Sequence, residues 1–123
     1  MKKYIIPVIL PYIKQKEELN KEKLEELIKK HLIKIEEMDE HCYVEVAFVG
    51  CDFTSLNQNI QEEILETLQK YIRMERIDSI RVSIRPNNIN KKTIKMLKKY
   101  KVKTIELEVY STNDYILKRM GMK

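Results

Sequence analysis

The residues of this 123-residue chain that could do chemistry fall into two sets, a glycine turn and a group of charged strand residues. The segment VAFVGCDFT, Val46 to Thr54, runs an apolar strand into Gly50, one of only two glycines, and then into Cys51, Asp52 and Thr54. A glycine between a buried strand and a helix lets the backbone approach a phosphate or cofactor, and it serves equally as a plain turn. The second set is Glu45, Arg81, Arg85, Glu106 and Glu108. Paired carboxylates suit general acid-base hydrolysis, but carboxylates facing Arg81 and Arg85 are read more economically as structural ion pairs.

Metal and disulfide chemistry are not expected. The chain has two cysteines, Cys42 and Cys51, and two histidines, His31 and His41, with no CxxC or HxxxH spacing for zinc. The cysteines flank one strand of about seven residues, too far apart at about 3.3 Å per residue for a disulfide, so both are expected as thiols. His31, on or beside an apolar helical stripe, is read as a partly buried spacer. The net charge of +5 is concentrated in NKKTIKMLKKYKVK, Asn90 to Lys103. Lys91, Lys95, Lys98 and Lys99 fall opposite Ile94 and Leu97, so a solvated helix face is the preferred reading and weak RNA binding the alternative. No apolar run approaches the roughly 18 residues that span a bilayer, and the opening MKKYIIPVILPY has too short an apolar run for a signal peptide. A cytoplasmic protein with no membrane partner is expected.

Stepping between these residues are alternating strands and helices. KYIIPVIL reads as an edge strand because Pro7 cannot donate to a central ladder. Asn20 caps a helix with Leu24, Leu27, Ile28, Leu32 and Ile35 on one stripe. YVEVAFV is the second strand, Leu56 to Ile72 mark the second helix, and SIRVSIR is the third strand. Asn90 caps the third helix, KTIELEVY is the fourth strand, and Ser111 or Thr112 begins a final short helix ending near Gly121.

Four strand-helix units imply a parallel α/β sheet. In the last two strands Ile80, Val82, Ile84 and Ile105, Leu107, Val109 share one face, while Arg81, Ser83, Arg85 and Thr104, Glu106, Glu108 share the other. Strands covered on both faces would be nearly continuously apolar. One charged face instead predicts a partial, half TIM-type barrel, with helices on one face and polar residues lining the other, as a single domain over residues 1–123. Exposed edges in such a sheet favour edge-to-edge dimerisation.

The strand ends then resemble a family. VEVAFVGCDFTSL followed by IQEEILETLQKYI is similar to the FFGGSFTGL and QEELL stretch of radical S-adenosylmethionine enzymes, in the elongator-type tRNA-modifying and coproporphyrinogen-oxidase-like branch. IDSIRVSIRPNNIN resembles IDGIRISTRPDYID, and KVKTIELEVYSTNDYILKRMGMK resembles GVKTIELGVQSMDDEVLKRSGRGH. The resemblance runs from Val44 to the C-terminus. It implies that Gly50, Cys51, Asp52 and Thr54 form the turn for the amino-acid end of S-adenosylmethionine, and that Ser83, Arg85, Glu106 and Ser111 line the cofactor cavity.

The family's chemistry also requires an iron-sulfur cluster on a CxxxCxxC loop after the first strand. This chain has LPYIKQKEELNKEK there, without cysteine, so a cluster is not expected. Cys51 stands for a second glycine, Glu108 for another and Tyr110 for a glutamine, each filling or charging the cavity. The expected function is a non-catalytic, degenerate domain acting as a homodimer or with a partner chain, with vestigial cofactor residues. The alternatives are an S-adenosylmethionine-binding part of an enzyme whose cluster ligands come from elsewhere, and an RNA-binding module.

Overall fold

The computed structural model describes residues 2–10, 20–38, 41–110 and 115–121, with side chains as far as residue 107. Its elements are β1 (Lys2–Ile9), α1 (Lys21–Glu37), β2 (Cys42–Val49), α2 (Gln58–Arg73), β3 (Ser79–Ile84), α3 (Lys91–Lys99), β4 (Val102–Tyr110) and β5 (Tyr115–Gly121). They form an α/β protein in which four parallel strands alternate with helices, in spatial order β1-β2-β3-β4-β5.

Local chemistry sets the helix starts. The Asn20 and Asn90 side chains accept the backbone N–H of Lys23 and Thr93, each at 2.9 Å, as asparagine does at an N-cap. The stripes expected from the 3.6-residue period then meet one sheet face. Leu24, Ile28 and Leu32 of α1, Ile64, Leu65 and Leu68 of α2 and Leu97 of α3 share one buried core with Val44, Val46, Phe48, Ile80, Val82, Ile84 and Ile105. A Gln69 side chain from α2 donates to the Tyr100 carbonyl at 2.8 Å, fastening α2 to the end of α3. Glu75 and Lys101, just past α2 and α3, adopt φ of 58° and 66°, the left-handed helix-ending conformation that glycine usually supplies.

The final helix expected from Ser111 or Thr112 to Gly121 is a strand instead. Residues 115–121 pair antiparallel with β4, from Tyr110 opposite Tyr115 to Thr104 opposite Gly121. Strand pairing satisfies the open edge of β4, which a helix in the same place would leave unpaired. Gly121 therefore closes a ladder rather than stopping a helix, and β5 takes the position beside β4 that a further parallel strand would occupy.

Pro7 lies on an edge strand, as expected, and its placement within β1 is specific. Leu10 N–H donates to the Val49 carbonyl at 2.7 Å, so by alternation the even residues of β1 face β2 and the odd ones, Pro7 among them, face outward. Proline therefore loses no bond within the sheet, and it interrupts the row of donors on the outer edge.

Tyr4 of β1 and His31 of α1 join strand to helix, with Tyr4 Oη 2.8 Å from His31 Nδ1 and the rings edge to face at 5.8 Å. Partial burial, with smaller contributions from Lys34 and Lys30, lowers the His31 pKa, so the folded state prefers the neutral ring. The stability this contributes is complete above the unfolded imidazole value of about 6.5 and is lost as pH falls through the lower folded value. The urea midpoint is therefore expected to decline between pH 7 and 5, and His31→Gln to flatten that part of the curve; an unchanged slope in the variant refutes the assignment.

Candidate functional site

The C-terminal ends of β2 and β3 carry most of the residues singled out in the sequence. Gly50 has φ of 102°, and a Cβ there would lie 3.1 Å from the Leu10 carbonyl oxygen and 3.5 Å from Ile9 Cγ2. Glycine is therefore required by the close passage of the end of β1 as well as by the backbone angle. Gly50 itself remains exposed, with the end of β1 against only the side that a Cβ would take.

Asp52 follows as the N-cap of a 3-10 turn, Phe53–Ser55, and is only 6% exposed. Its Oδ1 accepts from Thr54 N–H at 2.8 Å and the Thr54 hydroxyl at 2.6 Å. Its Oδ2 accepts from Arg85 N–H at 2.9 Å and Asn88 Nδ2 at 2.7 Å. Four donors, two from its own turn and two from the loop after β3, nearly saturate the lone pairs of one carboxylate. The Asp52 carbonyl also accepts from the Ser55 hydroxyl at 2.6 Å, and Cys51 Sγ lies 3.6 Å from Ser55 Oγ.

The charged sheet face is a second cluster. Arg81 Nε lies 3.1 Å from Glu45 Oε1 and Arg81 Nη1 2.8 Å from Glu106 Oε1, with Lys3 Nζ 3.4 Å from Glu45 on the exposed side. Ser79 Oγ donates to Glu45 Oε2 at 3.3 Å. Glu45, Ser79 and Ser83 are buried, along with Ala47, so the centre of this face is shielded from solvent. A guanidinium between two carboxylates neutralises charge that burial would otherwise penalise heavily.

Of the candidate cofactor residues, the structure brings Gly50, Cys51, Asp52, Thr54 and the Arg85 backbone to one place. Ser83 and Glu106 are register partners across β3 and β4 and belong with the Arg81 cluster. Ser111 lies outside the described residues, as do the side chains of Glu108 and Tyr110. Sequence reasoning missed Asn88, which completes the Asp52 knot, and a groove of about 400 Å³ beside it lined by residues including Thr54, Gln58, Asn87, Asn88, Asn90 and Lys92. The asparagine-rich run PNNIN was the signal available for both.

Of the residues that the resemblance assigns to an S-adenosylmethionine turn, Gly50 is exposed and meets β1 only in the direction a Cβ would take, and the Asp52 oxygens are committed to four protein donors. A cluster ligand set of three thiolates is also beyond a chain with two cysteines, and these sit at or beside opposite ends of β2. Among the described residues no group of three or more His, Cys, Asp or Glu side chains is placed to hold a metal ion, and no helix is long and apolar enough to cross a membrane. Comparison with protein-family models, with curated proteins and with solved structures finds no match to the chain.

Two substitutions separate the clusters. Asp52→Asn, which leaves one oxygen to serve four donors, is expected to destabilise by about 3 kcal/mol in urea unfolding. Arg81→Met, which strands Glu45 and Glu106, is expected to lose about 3–5 kcal/mol, and the triple variant with Glu45→Met and Glu106→Met to recover most of it. Near-neutral Asp52→Asn or Arg81→Met would show that these contacts do not hold the strand ends together.

Proposed function

We propose that this chain is a non-catalytic binding domain, on the plan of a partial radical-S-adenosylmethionine-like barrel, that acts by associating with a second copy of itself or with a partner chain. The observation that carries the reading is the commitment of the candidate chemical groups to the fold itself. Asp52 holds two loops together, and Glu45 and Glu106 hold Arg81. A carboxylate that accepts four protein hydrogen bonds has little capacity left to move a proton or bind a cofactor amine.

Association is supported by the surface of β1. Ile5 and Ile9 are 43% and 75% exposed on the face away from the helices, with Pro7 exposed between them. An apolar row on a sheet edge is a surface that a second chain can cover.

A second reading, RNA binding, is favoured by one observation. Lys91, Lys92, Lys95, Lys98, Lys99, Lys101 and Lys103 are all exposed along α3 and the start of β4. Such a surface attracts phosphates in a steeply salt-dependent way.

Sedimentation velocity is expected to give a dimer that Ile5→Glu together with Ile9→Glu converts to a monomer. Calorimetric titration with millimolar S-adenosylmethionine is expected to release no heat. A wild-type monomer at all concentrations would remove self-association, and saturable heat would remove the non-catalytic reading in favour of a cofactor-binding domain.

A further inference from the structure

The groove beside Asp52 and the lysine face of α3 are one continuous surface. Lys92 and Thr93 of α3 line the groove together with Gln58, Asn87, Asn88 and Asn90, and among the described residues its lining contains no carboxylate. At about 400 Å³ it is within the size range of small-molecule pockets. Asn88 commits its amide N–H to Asp52 and Asn90 its carbonyl to Thr93, which leaves each amide's other end for a ligand. Gln58 and Asn87 are exposed. Side-chain amides pair a donor with an acceptor, the pattern that reads the edge of a nucleobase.

Charge is partitioned to match. Residues 79–105 contain nine of the 24 Lys and Arg residues and none of the 19 Asp and Glu residues, which leaves the rest of the chain with 15 basic against 19 acidic. The excess positive charge of the protein is therefore confined to the segment that borders the groove. A single nucleotide would engage Lys92 and its nearest neighbours but leave Lys95, Lys98 and Lys99 unused. A run of phosphates uses them all.

We infer that the amide-lined groove is a base pocket for single-stranded nucleic acid whose backbone runs along the lysines of α3. The inference rests on the RNA-binding reading and deepens it by naming where a base enters. A single strand is required because an unstacked base offers its edge to side chains, whereas a duplex buries its pairing edge. The lysines supply affinity without sequence information, and the amides supply discrimination between bases.

Fluorescence anisotropy with labelled 12-nucleotide homopolymers of RNA and DNA tests this. Wild-type protein is expected to prefer one base over the others and to lose about 50-fold in affinity between 50 and 200 mM salt if about four lysines contact phosphate. Lys91→Gln with Lys95→Gln and Lys98→Gln should weaken all oligomers by tenfold or more and reduce the salt dependence. Gln58→Ala with Asn87→Ala, at exposed positions, should reduce the preferred base about tenfold towards the level of the others and leave the salt dependence unchanged. Matching DNA and RNA affinities would assign recognition to base and phosphate alone, and tighter RNA binding would add the 2′-hydroxyl; both support the pocket. No binding at 50 mM salt overturns the pocket and the RNA reading together. Lysine-dependent binding without base preference, or with a preference that Gln58→Ala and Asn87→Ala leave intact, overturns the pocket and leaves the RNA reading standing.

Discussion

Four donors converge on the carboxylate of Asp52, and the ends of β2 and β3 are held in register by that convergence. Two donors come from the turn that Asp52 itself initiates and two from the loop that follows β3. The carboxylate thereby ties the 3-10 turn that leads into α2 to the loop before α3. A carboxyl group 6% exposed is tolerated only when its oxygens are satisfied, so the loops cannot drift without stranding it. The groove beside Asp52 is a product of this same constraint.

The Arg81 cluster plays the corresponding part on the other side of the sheet. In a sheet with helices on one face only, the second face needs either apolar cover or groups that satisfy one another. Here Arg81 bridges Glu45 on β2 and Glu106 on β4, tying three strands through one planar guanidinium. The centre of the polar strand face is thus buried while β1 keeps Ile5 and Ile9 exposed at its margin. Structure and charge are arranged so that the interior of this face is settled and its border is left for contact.

Much of this was legible in the sequence, for physical reasons that differ by element. The three helices and four parallel strands followed from apolar period, and the asparagine caps Asn20 and Asn90 from the chemistry of an exposed first turn. The ion pairing of Arg81 was readable from strand alternation, which put it on the same face as Glu45 and Glu106. The last element was not: YILKRMG carries no decisive period, and its conformation is decided by the edge of β4, with which it pairs at seven positions that local pattern does not reveal. Gly50 and Asp52 stood out in the sequence, but their contacts lie more than 30 residues away, with Leu10 and with Arg85 and Asn88. Such long-range partners are set by topology, and so local pattern did not show that this turn also joins the ends of the strands.

Pro7 has a consequence for how sheets of this protein can be joined. It lies in the outward row of β1, where its ring replaces a donor, while the opposite margin of the sheet is β5, an antiparallel strand with its own outer edge. Continuous head-to-tail growth would require β1 of each copy to accept β5 of the next, and proline obstructs that step at every junction. The exposed Ile5 and Ile9 that flank Pro7 offer instead a surface two copies can share about a two-fold axis, and a two-fold contact consumes the surface it uses. Association through β1 therefore favours a closed pair over an open fibre.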